Sequence, residues 1–172
     1  MVYLTSDWHL SHKNIHNFRT FVSSPEENEK MLVETWEKTI KKQDLVFCLG
    51  DFAFDRRSLD VIGNLKGRKI LLRGNHENKT STKELCEVYE EIHGILRYKK
   101  LWLTHCPIHP QEMRKCVGNV CGHIHNNEVM KKTWYGREVP DKRYLNCCVD
   151  TIYKKTGGCF YTLDQVKSYF NL

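Results

Sequence analysis

Three short apolar runs in the first half of the chain each end in a cluster of polar residues. They are Val2–Thr5, Asp44–Leu49 and Lys69–Leu72. Runs of roughly four to eight aliphatic and β-branched residues, bounded by turn-forming residues, predict buried strands. Helical patterns lie between these runs, so the first half of the chain is predicted to alternate between strand and helix.

Capping sequences mark where helices should begin. Ser24 is followed by Pro25 and, at the third helical position, by Glu27, which predicts a capping box with proline at the first helical position. Ser81 with Glu84, and Thr162 with Gln165, predict two further short helices. After Ser24, residues recur at helical spacing: Met31, Leu32, Thr35, Trp36, Thr39 and Ile40.

The second half of the chain is predicted to be mostly strand. Ile95–Tyr98 and Leu101–Thr104 should form a hairpin, and further strands are expected at Gly118–Cys121, Tyr144–Val149 and Cys159–Thr162. This order favours a mixed sheet, or two sheets, with helices outside, in a single domain spanning residues 1–172. In open α/β sheets ligands collect at the carboxyl ends of strands, so the polar clusters there are the places to look for chemistry.

Composition and charge narrow the class of protein only moderately. The chain is 40% hydrophobic and 28% charged, which is typical of a globular protein. No apolar run approaches the ~20 residues needed to cross a bilayer, and no signal-peptide pattern is present, so we expect a cytoplasmic protein without a membrane partner. The net charge is +6, but the basic pairs are scattered, which favours solvated surface over a nucleic-acid groove.

The eight cysteines are expected to be reduced thiols, mostly buried as small hydrophobic residues. Cys116, Cys121, His123 and His125 form an alternative structural zinc site, although the absence of a C-x-x-C pair weighs against it. Cys106 follows His105 and is either a nucleophile or a packing residue. Packing is favoured because no oxyanion hole is evident.

The polar clusters after the predicted strands contain the ligand types of a two-metal site. Imidazoles and carboxylates bind Mn, Fe, Ni and Zn, and one carboxylate can bridge two ions. The glycines that precede Asp51, Asn75 and His123 are expected to permit tight turns and close backbone approach. The clusters supply these side chains: Asp7, His9, Asp51, Asn75, His76, His105, His123 and His125.

In chain order the clusters read D-x-H, G-D, G-N-H-D/E, H and G-H-x-H, and this order resembles the calcineurin-like metallophosphoesterases. The opening segment Asp7–His12 is also similar to small stand-alone bacterial and phage members of that family. Residues 126–172 contain none of the motifs. The resemblance implies a four-layer α/β/β/α sandwich of two mixed sheets flanked by helices.

The resemblance also implies roles for the residues. Asp7, His9 and His125 would hold one divalent ion, Asn75, His105 and His123 the other, and Asp51 would bridge them. His76 would stand outside the ligand set beside the leaving group, and we hypothesise that Glu77 orients its imidazole. The expected cofactors are two ions, with Mn favoured over Fe, Ni and Zn. The expected reaction is hydrolysis of phosphomono- or phosphodiesters by a hydroxide between the ions.

Departures from the family pattern leave the substrate open among small phosphate esters, nucleotides and nucleic acid. Leu72–Glu77 resembles the protein Ser/Thr phosphatases, whose arginine holds the phosphate, so Arg73 is a candidate clamp. However, the segment after Gly50 has one residue too many for that group and lacks its final glycine. Protein phosphatase, a non-catalytic scaffold and a nucleic-acid-binding module are therefore alternatives. His12 and His109 are possible substrate contacts.

Overall fold

The strands of the first half form one mixed, five-stranded sheet. The computed structural model describes residues 1–172, and its first sheet has the order β11-β1-β2-β3-β4. The first four strands run parallel, and β11 is antiparallel to β1. Their bounds are Val2–Thr5 (β1), Leu45–Cys48 (β2), Arg68–Leu72 (β3), Glu91–His93 (β4) and Tyr161–Thr162 (β11).

A second mixed sheet has four strands in the order β10-β7-β6-β5. The predicted hairpin forms its antiparallel edge, and the other pairs are parallel. Two further strands pair only with each other, as a separate hairpin. The bounds are Ile95–Tyr98 (β5), Leu101–Thr104 (β6), Gly118–Cys121 (β7), Met130–Lys132 (β8), Glu138–Pro140 (β9) and Tyr144–Asn146 (β10).

Alternating residues of β2 belong to two different cores. Val46 and Cys48 face a core that includes the helices α1 (Pro25–Thr39) and α2 (Arg56–Asn64). Phe47 packs on the other face, in a core shared with residues of the second sheet. Because both faces of the strand are buried, its sequence is a continuous apolar run. The helices α1 and α2, the first sheet and the second sheet are therefore stacked in that order.

Two shorter helices, α4 (Val149–Thr156) and α5 (Leu163–Tyr169), add Ile152 and Val166 to the core between the sheets. The chain therefore forms two mixed sheets flanked by helices. No helix of this fold combines the length and apolar character that crossing a membrane requires.

The helix starts follow the predicted capping sequences with one shift. Ser81 and Glu84 form a reciprocal capping box at α3 (Thr82–Leu85), and Thr162 and Gln165 form another at α5. At α1, the Ser24 hydroxyl accepts from the Glu27 amide, as predicted. The Glu27 carboxylate, however, accepts from the backbone of Ser23 rather than that of Ser24. The reciprocal half of this box is therefore displaced by one residue.

The strand predicted at Tyr144–Val149 is wrong in its second half. Pairing ends at Asn146, and α4 begins at Val149. The Cys147 amide still bonds to the end of β7, but the Val149 amide bonds to Ser6 in the loop after β1. The chain thus crosses from one sheet to the other here. The crossover was hidden because the N-cap residue of α4 is Cys148, whose side chain makes no capping hydrogen bond.

Candidate metal centre

Five of the predicted site residues have left-handed backbone conformations. The φ angles are 59° for Asp7, 50° for His9, 56° for Asp51, 70° for His123 and 48° for His125. Such conformations are uncommon outside glycine and cost about 1–3 kcal/mol each, so they persist only where the surroundings enforce them. Their concentration at one end of the two sheets marks a functional site.

The loops after β1 and β2 run side by side beyond the sheet. The amide of Asp7 donates to Gly50 O, and the amide of His9 donates to Asp51 O, both at 3.0 Å. Gly50 has φ of 89°, and a Cβ there would lie 2.5 Å from Nδ1 of His105. Both uses of glycine predicted before Asp51, a tight turn and a close approach, are confirmed.

The loops of the second sheet meet those of the first at Asp7. The Gly122 amide donates to His105 O at 2.9 Å, which aligns the loops after β6 and β7. The His123 amide then donates to Asp7 Oδ2 at 2.9 Å. A Cβ on Gly122 would lie 2.5 Å from the same carboxylate oxygen, so only glycine allows this junction between the sheets.

Asp7, His9 and His125 form a compact group with unsatisfied polar atoms. Asp7 Oδ1 lies 3.6 Å from Nε2 of His9 and 3.8 Å from Nε2 of His125. Asp7 Oδ1 and both ring nitrogens of His9 are buried and have no hydrogen-bond partner. Buried polar atoms without partners are costly, and a carboxylate facing two imidazoles is a donor set that divalent metals prefer. These residues fit a metal ion.

Asp51 belongs to two different groups of possible metal ligands. Its carboxylate belongs to one group with His9 and His76 and to another with Asp7 and His105, each within 4.8 Å. Asp51 Oδ2 is 3.3 Å from Nε2 of His105 and 3.8 Å from Nε2 of His76. A carboxylate in this position can contact two ions at once.

His105 links the remaining predicted ligands. Its Nε2 lies 3.0 Å from Asn75 Oδ1, and its Nδ1 lies 2.8 Å from Leu49 O, which holds the ring with Nε2 toward the site. His105 also forms a group with His123 and Cys106, within 4.8 Å. Cys106 is exposed, so the prediction that it packs in the interior is wrong.

The structural zinc site considered above does not form. His123 groups with His105, and His125 groups with Asp7 and His9, on different sides of the centre. No group of possible metal ligands includes Cys116 or Cys121, and Cys121 is buried at the end of β7. All eight cysteines are free thiols in the structure.

The charges of the centre favour a bound cation. Burial opposes protonation of His105, but the hydrogen bond and charge of Asp51, with the charge of Asp7, raise its pKa to about 9. Burial also opposes ionisation of Asp7, yet His9, His105 and Ser6 hold its pKa well below the usual range. Burial likewise opposes ionisation of Asp51, but the hydrogen bond and charge of His105 lower its pKa. Both aspartates are therefore ionised, and their field stabilises positive charge between them.

The calcineurin-like phosphoesterase family matches residues 1–148 of this sequence. The chain belongs to that family. The match covers both sheets up to the crossover at Cys148, so it includes every motif quoted above. The prediction of the family, and of its two mixed sheets flanked by helices, is confirmed.

Two similar proteins match nearly the whole length of this phosphoesterase-family chain, and a third matches less than half of it. The uncharacterized protein MJ1445 of Methanocaldococcus jannaschii is 26% identical over 162 residues, which cover 90% of this chain and 84% of that protein. The crystal structure of the protein of unknown function AQ665 from Aquifex aeolicus has a TM-score of 0.64 at 26% identity, covering 88% and 91% of the two chains. Gene 66 protein of Mycobacterium phage L5 is 32% identical, but over only 44% of this chain and 39% of its own length.

A buried ion pair beneath the centre was missed by the sequence analysis. Arg19 and Asp150 are only 1% and 3% exposed, and Nε and Nη2 of Arg19 donate to the two carboxylate oxygens, each at 3.0 Å. Arg19 also donates to the backbone oxygens of Asp7 and Trp8 and to the side chain of Asn28. One guanidinium therefore holds the strained loop that presents Asp7 and His9.

Asp150 also positions a predicted metal ligand. Its Oδ2 lies 3.1 Å from Nδ1 of His125, so Nε2 of that ring faces Asp7. This bond raises the pKa of His125 against the effect of burial. The hydrogen bond to His125, together with the charge of Arg19, lowers the pKa of Asp150 to about 2 despite its burial. A carboxylate that orients an imidazole ligand in this way strengthens metal binding.

The hypothesis that Glu77 orients His76 is wrong. The Glu77 carboxylate is buried and accepts from three backbone amides, those of Asp51, Phe52 and Gly74. It therefore ties the loop after β2 to the loop after β3. Nε2 of His76 instead lies 3.8 Å from the Asp51 carboxylate, and the His76 amide donates to Asp51 Oδ1 at 2.9 Å.

Arg73 lies close to the second half of the centre and is already hydrogen-bonded. It lines an open cleft of about 290 Å³ on the side of Asn75 and His105. Its guanidinium donates to the Thr82 hydroxyl and to the carbonyls of Glu77 and Thr80. These bonds brace the turn that carries Asn75. A phosphate-clamping role for Arg73 stays a prediction.

An open pocket of about 410 Å³ adjoins the first half of the centre. Its walls include His9, His76 and His125 from the centre and His12 and Phe18 from the segment after β1. His12 therefore lines the pocket beside the centre, and its role as a substrate contact stays a prediction. His109 is not in this pocket, and its ring instead accepts from the Gln111 amide at the start of a short turn.

Proposed function

We propose that this protein is a metal-dependent phosphoesterase that uses two divalent ions to hydrolyse phosphomono- or phosphodiesters. The observation that carries the proposal is the position of Asp51 between two groups of ligands. Each of these groups includes a residue with unpartnered buried atoms, His9 in one and Asp7 in the other. Membership of the calcineurin-like phosphoesterase family supports the same reaction class.

The ligand assignment follows the two sides of the centre. Asp7, His9 and His125 would hold one ion, Asn75, His105 and His123 the other, and Asp51 both. This mixture of oxygen and imidazole donors suits Mn²⁺, with Fe, Ni and Zn as alternatives. Bound ions would supply Lewis-acid stabilisation of the phosphoryl oxygens and a water of lowered pKa as nucleophile.

His76 is proposed to donate a proton to the leaving group. Its side chain is 41% exposed and lines the open pocket, while its backbone is anchored to Asp51. The imidazole can therefore reach an ester oxygen in the pocket without leaving its place beside the centre. A positioned general acid of this kind typically contributes ~10²–10⁴ in rate.

Two alternatives remain distinguishable by experiment. A protein phosphatase would act on phosphoserine or phosphothreonine peptides rather than small diesters. A non-catalytic scaffold would need no complete set of ligands. The unpartnered buried atoms of Asp7 and His9 disfavour the scaffold, because a site that never binds a cation gains nothing from leaving them unsatisfied.

The proposal is tested with p-nitrophenyl phosphate, bis-p-nitrophenyl phosphate and a phosphoserine peptide, each assayed with Mn²⁺, Ni²⁺, Zn²⁺ and Mg²⁺. Elemental analysis should find two ions per chain, and EDTA should abolish hydrolysis. Asp51→Asn should lose metal and activity together, since a neutral amide bridges two cations poorly. Asp164→Asn, at an exposed position on α5, is the matched control. Two bound ions without hydrolysis of any ester would favour the scaffold.

A further inference from the structure

The hairpin formed by β8 and β9 presents two aromatic side chains to solvent. Its strands pair only with each other, and of their six residues only Val139 is even partly buried. At its tip Trp134 is 95% exposed and Tyr135 is 61% exposed, with ring centroids 5.3 Å apart. Adjacent exposed aromatic rings are unfavourable in water, and such patches usually mark an interaction site.

The tip of this hairpin is ordered by its own hydrogen bonds. The Thr133 hydroxyl and amide both donate to Arg137 O, and the Arg137 amide donates back to the Thr133 hydroxyl. The turn therefore holds the two aromatic residues between its strands in a defined position. A surface that is already ordered loses little conformational entropy when it binds a partner.

The basic residues of the hairpin have no acidic partners. Lys131, Lys132 and Arg137 are exposed and form no ion pair, whereas the basic pair Arg56-Arg57 is fully ion-paired on the protein surface. The hairpin carries one acidic residue, Glu138, and it also makes no ion pair with these side chains. The excess positive charge beside the exposed rings suits an anionic partner.

A cleft that carries two lysines joins the hairpin to the pocket beside the metal centre. A cleft of about 420 Å³ is lined by Met130 of β8 and by Lys154 and Lys155 of α4, with Glu128 its acidic member. Neither lysine forms an ion pair. Asn126 and Asn127 line both this cleft and the open pocket beside the centre. A chain of phosphates could therefore follow one surface from the centre to the hairpin.

We propose that the β8–β9 hairpin and its adjoining cleft bind single-stranded nucleic acid. Trp134 and Tyr135 would stack on bases, and Lys131, Lys132, Arg137, Lys154 and Lys155 would contact phosphates. Aromatic stacking combined with a basic groove is how proteins bind single strands without reading their sequence. This binding does not depend on the proposed phosphoesterase function. If that function holds, single-stranded nucleic acid is the substrate class of the metal centre.

The proposal is tested by fluorescence anisotropy of a labelled oligothymidylate with the whole protein in EDTA. Trp134→Ala should weaken binding about 10-fold, in line with the loss of one stacked base. The double variant Lys131→Gln, Lys132→Gln should weaken binding and lower the slope against log salt by about 1.4. The matched control is Lys99→Gln, Lys100→Gln, which removes two lysines from the tip of the β5–β6 hairpin and should change neither.

Hydrolysis of bis-p-nitrophenyl phosphate separates this proposal from the proposed function. The hairpin variants should retain it, while their KM for an oligonucleotide should rise if the protein is a phosphoesterase. Oligonucleotide binding by a protein inactive on every ester would leave this proposal standing and end the other. Equal affinities for wild type, Trp134→Ala and the double variant would overturn this proposal. So would self-association or vesicle binding that Trp134→Ala abolishes while oligonucleotide binding persists.

Discussion

The ion pair between Arg19 and Asp150 makes the stability of this protein depend on a charge buried beneath the metal centre. Asp150→Asn preserves the shape of the side chain but removes its charge, leaving the Arg19 guanidinium buried beside a neutral amide. Breaking one partner of a buried pair typically costs about 3–5 kcal/mol, because the other charge is left uncompensated. We therefore expect a large loss in the free energy of unfolding.

The pKa of Asp150 measures the combined effect of its hydrogen bond to His125 and its ion pair with Arg19. A folded-state pKa of about 2 lies below the ordinary aspartate value of roughly 3.9, and the difference corresponds to about 2–3 kcal/mol at neutral pH. Since the folded pKa is the lower one, this stability is present above about pH 4 and is lost as the pH falls through 2. Both estimates place the effect of Asp150→Asn near 3 kcal/mol.

A double-mutant cycle with Arg19→Met isolates the pair. Each single variant should be destabilised, and the double variant should lose less than the sum of the two, by up to about 3 kcal/mol. Urea unfolding in EDTA, followed by fluorescence of the buried Trp8 and Trp36, measures these changes without a contribution from metal. Additive losses, or a change of less than about 0.5 kcal/mol in Asp150→Asn, would refute the reasoning.

Metal affinity separates the role of Asp150 at His125 from its role in stability. Loss of a carboxylate that orients an imidazole ligand typically weakens metal binding about 10–100-fold. The control is Asp141→Asn, which breaks the pair that Asp141 makes with Arg143 away from the centre. It should cost stability but leave metal affinity unchanged. Equal metal affinities in the two variants would assign Asp150 to stability alone.

Three further predictions concern His76, Glu77 and the cysteines. His76→Ala should keep both metals but lose far more kcat/KM on an alkyl phosphate than on p-nitrophenyl phosphate, because the p-nitrophenolate leaving group needs no proton. Equal losses on the two substrates would exclude His76 as a general acid. Glu77→Gln should lower the free energy of unfolding in urea by about 1–3 kcal/mol, because its amide N–H group would face backbone donors; unchanged stability would contradict this role. In the folded protein, a thiol reagent should react fastest with the exposed Cys86 and Cys106. Bound metal should slow the reaction of Cys106 only. After complete denaturation all eight thiols should react.

The local pattern of the sequence was sufficient for most strands and for the order of the motifs. The bounds of β1, β5, β6 and β7 agree with the structure, because a short strand buried by neighbouring layers must be a continuous apolar run ending in polar residues. The motif residues follow strand ends, and their glycines are required by contacts at the same ends. These features depend on neighbours in the chain, so a single sequence displays them.

Contacts between distant parts of the chain required the tertiary structure. Arg19 and Asp150 are 131 positions apart, and nothing in either local sequence distinguishes their buried pair from a surface charge. Glu77 was assigned to its neighbour His76, but the fold brings three amide donors to it from two loops. Pairing across such distances depends on how the sheets are stacked. Hydrophobic periodicity specifies which face of an element is buried, but not which charged group will lie against another.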